Sequence, residues 1–259
     1  MKSRVRNIII IALLITVVVV FNIIRRNSTM RGLETTIEIG GKYTLLSPNE
    51  IDSLIYAAIP NLTTKDIADI NEKQIEAIVN KNPYVLKSDV SVTTGGKVRV
   101  EVTQRQPVVR VFYQGNEYYL SRQGTFMPIS AKHYCHILVG NSEKQEPLLK
   151  DPTKIRLADT SIHRQPEGLL KIWKLAAFLY DNPQYGDIFD QIYLSPEGDL
   201  CVVPKLSSLT IEVGDTSRLD TKFRNLWVFF DQGINQVGWD AYRAISLKYD
   251  GQVVCTRKE

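Results

Sequence analysis

The sequence predicts an α+β protein: a single apolar N-terminal helix, a small βααββ unit, and a larger mixed αβ unit that closes on a C-terminal hairpin. Three observations predict it. Residues 8–24, IIIIALLITVVVVFNII, form an apolar run of 17 residues with only Thr16 and Asn22 as polar members, which is the short end of a membrane span. After it, helix-period and strand-period segments follow one another over short distances in an otherwise ordinary globular composition of 44% hydrophobic and 23% charged residues, the texture of an α+β chain. The chain then stops on YRAISLKYDGQVVCTRKE, two runs of strand formers around Asp250-Gly251, the strongest short-range hairpin signal a sequence offers.

The apolar run is preceded by Lys2, Arg4 and Arg6 and followed by RRNSTMRG. A cleaved signal peptide would show a small-x-small cleavage site, and none is present, so the run reads as an uncleaved anchor. Flanking charge is nearly tied across it; a short basic tail followed by a long polar domain is the usual layout of an anchor with its N-terminus inside. The expected organisation is a tail over 1–7, a span over 8–24, a linker over 25–34, and domains over 35–106 and 107–259. The net charge of +4 does not describe the body of the protein, because residues 1–31 hold six basic residues and no acidic one, leaving 26 basic against 28 acidic. No basic field remains for nucleic acid.

Within the first domain, residues 35–39 alternate as a short strand. Ser47-Pro48-Asn49-Glu50 forms a capping box with Pro at the first helical position, and Ile51, Leu54, Ile55 and Ala58 build one apolar face before Pro60. A second helix spans 71–81 with Ile75, Ile78 and Val79 on one side. Residues 85–92 and 98–105 are strands joined by Thr93-Thr94-Gly95-Gly96-Lys97, and Val98, Val100 and Val102 alternate with Arg99, Glu101 and Thr103 as in a sheet with one wet face.

In the second domain, strands are expected over 108–113 and 117–121, then the RQGTFMP segment and a loop-rich stretch over 141–165. A helix over 166–179 turns Leu169, Leu170, Trp173 and Ala177 inward. Strands over 191–194, 200–203 and 209–213 precede a helix over 216–231 with Leu219, Phe223, Leu226, Trp227 and Phe230 inward and Gly233 as its stop.

Motifs for chemistry are absent. His133-Tyr134-Cys135-His136 tempts as a metal site, but zinc needs about four ligands, and the only other histidine is His163; HILV reads as the start of a strand. No G-x-S-x-G elbow, P-loop, G-x-G-x-x-G or H-E-x-x-H occurs, and the acidic residues are scattered singly. Cys135, Cys201 and Cys255 are odd in number and form no disulfide framework. Trp173, Trp227, Phe223 and Phe230 have the spacing of core packing rather than of a ligand box. No enzyme activity, cofactor or metal is expected.

The order of elements resembles the bacterial cell-division family FtsQ/DivIB, whose exported part is a POTRA domain followed by a β domain. The residues that carry the resemblance are Asn82-Pro83-Tyr84-Val85, Asp89-Val90-Ser91-Val92 and Val98 to Val108, similar to the family's P-x-V, paired hairpin and E-R-x-P-V junction. Gln104 stands where that family has an acidic residue. The segment from Leu120 to Phe126 is similar to the family's D-x-x-G-x-x-F turn, with Ser121 or Arg122 in place of the acid. Ile245-Ser246-Leu247-Lys248-Tyr249 and Gln252-Val253-Val254 resemble its closing I-D-L-R-Y and Q-V-V strands.

The resemblance implies a non-enzymatic scaffold of the divisome, in the inner membrane with a single pass, its N-terminus cytoplasmic and its C-terminal domain periplasmic, at the division septum. It implies membrane partners of the FtsB and FtsL type and a link to the septal peptidoglycan synthase complex. It places Lys248, Tyr249 and Gly251 at the partner contact and Gln252, Val253, Val254, Cys255 and Thr256 on a strand that receives a partner strand, with Lys248 against a partner carboxylate. The alternative, a POTRA-type component of protein export or outer-membrane assembly, expects tandem units and a β-barrel, whose series of membrane strands is not seen. An anchored cell-wall enzyme would need a catalytic constellation.

If Asp250-Gly251 is a two-residue turn, Tyr249 opposes Gln252, Lys248 opposes Val253, Leu247 opposes Val254 and Ser246 opposes Cys255. That register puts Val254 on the core face and Val253 and Cys255 on the other.

Overall fold

The structure, a computed structural model, describes residues 10–17, 29–129, 132, 134–142, 146–159, 165–205, 209–234, 238 and 241–258. Residues 10–17 are helical and exposed. Among the described residues no helix is long and apolar enough to cross a membrane; the remainder of the expected 8–24 span lies outside them. The chain divides into two compact units, Met1–Arg105 and Gln106–Glu259.

The first unit runs β1 (Gly32–Glu38), α1 (Pro48–Ala58), α2 (Glu72–Val79), β2 (Val85–Val92), β3 (Lys97–Gln104), the expected βααββ order. β3 is central, parallel to β1 and antiparallel to β2. Its Val98, Val100 and Val102 join Ile51 and Ile55 of α1 and Ile75 and Val79 of α2 in one buried cluster, so the two helices cover one face of the sheet. α1 begins where its sequence dictates, because the Ser47 amide donates to the Glu50 carboxylate at 3.0 Å, and α2 begins where the Asn71 side chain accepts from the Gln74 amide at 3.1 Å. Two carboxylates of α2 also reach the outer edge of β2: the Val90 amide donates to Glu76 at 3.2 Å and the Val92 amide to Glu72 at 2.9 Å.

The second unit contains β4 (Pro107–Tyr113), β5 (Asn116–Ser121), β6 (Phe126–Pro128), β7 (Val139–Ser142), α3 (Glu167–Asp181), β8 (Phe189–Leu194), β9 (Leu200–Pro204), β10 (Thr210–Gly214), α4 (Leu219–Phe229), β11 (Tyr242–Ser246) and β12 (Val254–Arg257). Its strands form a single sheet in the order β12-β11-β10-β9-β8-β7-β4-β5-β6. One register row crosses it: Val111, Gly140, Ile192, Val202, Ile211, Ile245 and Cys255 stand opposite one another from β4 to β12. Side chains of α3 and α4 pack with this row in a single core.

Three expectations are corrected here. β7 takes Asn141 and Ser142 out of the expected loop-rich stretch and inserts a strand parallel to both β4 and β8. On α3, Leu170 and Trp173 lie at the flank of the core, while Ile172, Leu175 and Ala176 are buried. On α4, Leu219, Phe223 and Leu226 point inward, but Trp227 is 44% exposed and touches Tyr185. At about 100° per residue Trp227 falls about 80° round from Leu219 and Val228 about half a turn from it, off the inward face. α4 stops at Phe229 and continues as a π-helical turn, Phe230–Ile234.

Candidate functional site

The two ends of the large sheet differ. At one end β6 has three residues, finishes on Pro128 and is flanked by a bridge from Thr125 to Arg156, devices that blunt an edge. At the other end β12 pairs with β11 on one side, and among the described residues no group bonds to the backbone of its outer side. The core row therefore leads out to an unblunted edge, where Val253 and Cys255 pack against the core and Val254 is 41% exposed.

The structure moves the expected register by one residue. Ser246 stands opposite Val254, Ile245 opposite Cys255 and Ala244 opposite Thr256, with a bulge before Tyr242 opposite Arg257. A slip of one residue exchanges faces, so Cys255 faces the core beside Ile245, Val254 turns away from it, and Val253 packs inward with Cys255. The cause lies in residues 247–253. Leu247 is still tied to β10, its amide donating to the Glu212 carbonyl at 2.8 Å. The turn then closes with the Gln252 amide on the Tyr249 carbonyl at 3.4 Å. Gly251 takes a φ of +67 there, a conformation that glycine adopts without a Cβ penalty. Asp250-Gly251 is thus the tip of the turn, as expected, but pairing resumes only at Val254.

Charges fasten this turn to its neighbours. Asp250 pairs with Arg218 at the start of α4, and the Arg218 guanidinium holds the Asp250 carboxyl below the usual carboxylate range. Lys248 Nζ lies 2.9 Å from Asp199 Oδ2 and 3.7 Å from Glu212 Oε2. Its hydrogen bond to Asp199 raises the ammonium above its ordinary value. Lys222 Nζ, on a side chain only 8% exposed, donates to the Asp215 carboxylate at 2.7 Å and to the Asp215 carbonyl at 3.0 Å, which pushes the Asp215 carboxyl well down. Lys248, expected to meet a partner carboxylate, lies beside two carboxylates of its own chain.

The expected contact residues fall into two groups. Lys248, Tyr249, Gly251 and Gln252 belong to the turn, with Tyr249 56% exposed, and Val254, Cys255 and Thr256 belong to β12. Val253 joins them, its side chain lining a shallow groove with Asn225, Val228 and Phe229 of α4, Gln232 and Gly233. Sequence reasoning missed Arg218, Asp199 and Glu212, which hold the turn, and Val228, 48% exposed beside it. Val228 was readable as the residue opposite the buried face of α4; the ion pairs depend on the fold and left no local signal.

Burial raises the Cys255 thiol, and burial likewise raises Cys201, so both favour the unreactive protonated form. The two cysteines stand on β12 and β9 with β10 and β11 between them, and both are free thiols. Among the described residues no group of three or more His, Cys, Asp or Glu could hold a metal ion; His133 and His163 lie outside them. What the edge offers is a row of main-chain donors and acceptors beside partly exposed apolar side chains, which suits the addition of a strand.

The comparisons with known proteins cover both units. Residues 106–256 match the family model described as FtsQ/DivIB, C-terminal related, and residues 29–103 match a POTRA-like domain. No curated protein matches the chain.

Proposed function

The chain belongs to the FtsQ/DivIB C-terminal-related family, which implies a role in cell division, and on that footing we propose that it is a divisome scaffold acting by binding rather than catalysis. The proposed layout is a cytoplasmic tail over 1–7, an inner-membrane anchor over 8–24, a linker over 25–34, a POTRA domain over 35–106 and a β domain over 107–259, both domains periplasmic at the septum. The apolar run of 17 residues supports the anchor, since that length meets the lower bound for a span. The partners are membrane proteins of the FtsB and FtsL type, through which the scaffold links early and late division proteins and helps control septal peptidoglycan synthesis.

One observation carries this reading: the core row of the large sheet ends at β12, an edge with no bonding group on its outer side among the described residues. A partner strand added there gains main-chain hydrogen bonds along β12 and apolar contact with Val254, while Val253 and Cys255 extend the core beneath it. Lys248 and Gly251 shape the turn; Tyr249 and Gln252 flank the incoming strand; Val253, Val254, Cys255 and Thr256 form its bed.

Proline substitution tests it. Alternate amides of an edge strand face outward, so of Val254→Pro and Cys255→Pro one removes an outward donor and the other a donor to β11. With the full chain co-expressed with its FtsB-type partner, the outward variant is expected to keep its circular dichroism spectrum and lose capture at least tenfold. Capture unchanged in both variants sinks the edge as the binding site. Depletion that leaves cells dividing without filaments sinks the divisome role.

A further inference from the structure

The sheet of the first unit has two edges, in the order β1-β3-β2, and they are finished differently. The Val90 and Val92 amides of β2 are taken by Glu76 and Glu72 of α2. β1 pairs with β3 on one side, and among the described residues no backbone group bonds to its other side. It has no proline, so of the usual blunting devices it carries only charge. That charge is unevenly placed. On the exposed face Gly32, Glu34, Thr36 and Glu38 stand opposite Lys97, Arg99, Glu101 and Thr103 of β3, and the Thr103 hydroxyl donates to Glu38 at 3.0 Å. Arg31, Lys97 and Arg99 therefore surround the first half of β1, while Glu38 and Glu101 flank Thr36 in the second half. On the other face the Thr35 hydroxyl donates to the Asp52 carboxylate of α1, a third acid beside the same half. One strand further in, Lys87 and Asp89 stand opposite Thr103 and Glu101 and offset each other; Lys42 follows beyond Gly40 and Gly41. A second copy of β1 does not suit this edge. Antiparallel pairing about Thr36 sets Glu34 against Glu38, and parallel pairing in register sets Glu38 against itself, like charges that repel across strands.

We propose that the outer edge of β1 receives an extended segment of a partner protein, with basic side chains beside Thr36 and Glu38 on the exposed face and apolar side chains at the alternate positions. The pleat sets this alternation. Side chains on one face of the added strand meet Glu38 and Glu101, and those on the other extend the partly buried Leu33 and Ile37, which pack on the core of the first unit. Main-chain bonds attach the segment. Charge fixes its placement, because sliding it toward the start of β1 sets its cations against Arg99 and Lys97. This surface is separate from β12, and the proposal does not depend on that edge.

The test uses the full chain in detergent with two labelled peptides, Val-Lys-Val-Lys-Val and Val-Glu-Val-Glu-Val, read by fluorescence anisotropy and hydrogen exchange. The lysine peptide is expected to bind about tenfold more tightly than its glutamate twin, since two cross-strand pairs change from attraction to repulsion. It is also expected to slow exchange at alternate amides of β1 and to leave those of β2 and β12 as they are. Glu38→Lys with Glu101→Lys is expected to reverse the preference. Glu38→Gln, which keeps an acceptor for the Thr103 hydroxyl, is expected to reduce it without disturbing the fold. Equal binding of the two peptides overturns the proposal, and so does binding of neither, which would leave the acids of β1 the single role of keeping strands away. Protection on β12 in place of β1 assigns the peptide to the other edge and overturns it too. Slow exchange at every β1 amide in the chain alone would show the edge covered by the chain itself, whose Arg25 and Arg26 lie outside the described residues. A dimer in sedimentation that the lysine peptide disperses would assign the edge to a second copy. Either result overturns the partner segment.

Discussion

Gln104 shows how one side chain ties β3 to the segment that precedes α1. It is 2% exposed, and its carbonyl oxygen accepts the Leu45 amide at 2.6 Å and the Leu46 amide at 3.0 Å, while its amide nitrogen donates to the Tyr43 carbonyl at 2.7 Å. A buried side chain that must both accept and donate at these positions suits an amide and not an ionised carboxylate. Gln104→Glu keeps both acceptor contacts and sets a carboxylate oxygen against the Tyr43 carbonyl. The expected cost is about 1–3 kcal/mol, the range for leaving a buried polar group unsatisfied, read as a lower denaturation midpoint at neutral pH. A midpoint unchanged from that of the unaltered protein would mean the carbonyl finds another donor. None of this was legible in the sequence beyond the presence of glutamine at this position, because the three bonding partners lie about sixty positions away, at 43, 45 and 46.

At the scale of elements, the edge strand β2 of the first unit is closed by its own helix. Glu72 and Glu76 stand four residues apart on α2, one turn of helix, and accept from Val92 and Val90, two residues apart on the strand. These are charge-assisted bonds to an edge that would otherwise invite pairing. Replacing both glutamates with alanine should raise hydrogen exchange at the Val90 and Val92 amides about tenfold, equivalent to about 1.4 kcal/mol and near the lower end for a bond to a charged group; exchange at Val100 in β3 should not move. Equal exchange at Val90 and Val92 in both proteins would show that the carboxylates do not close the edge. Elements with strong local signals were readable, among them the α1 capping box and the valine alternation of β3. β7 was not: Val-Gly-Asn-Ser has little strand propensity. A Cβ on Gly140 would meet Ile172 of α3 at 2.7 Å, so tertiary packing, rather than local preference, keeps this position glycine. The terminal hairpin was legible as a turn and not as a register, because the bond from the Leu247 amide to the Glu212 carbonyl of β10 and the turn over residues 249–252 carry the chain on to Val254 before pairing resumes.

At the scale of the whole molecule, the βααββ order and the terminal turn could be read from periodicity and turn signals, whereas the nine-strand order of the second sheet could not, because three of its neighbouring pairs are parallel and two of those depend on β7. The charges that organise this second unit make its stability sensitive to acid. Asp215 is depressed by Lys222 and Ser217, Asp250 by Arg218, Asp151 by Thr153 and Lys154, and Glu197 by Ser195. A carboxyl depressed in the folded state binds its proton more readily when unfolded, so its contribution is present above the ordinary carboxylate range of about 4 and is lost as pH falls through the depressed folded values. Glu146 has the opposite sign: burial raises it, against hydrogen bonds from the Ser142 hydroxyl and the Leu169 and Gly168 amides, so its protonation favours the folded state and partly offsets the loss. Trp173 and Trp227 lie in this unit, and the first unit has no tryptophan in its sequence, so fluorescence follows the second without contribution from the first. The fluorescence-detected Tm is expected to fall as pH is lowered from about 5 to about 3, where carboxylates take up protons. The fall should be shallower in Lys222→Met, which removes the cation that depresses Asp215, and steeper in Glu146→Gln, which removes the offset. A Tm independent of pH across that window, or the same slope in all three proteins, would show that these carboxylates do not govern the acid stability of the sheet that carries β12.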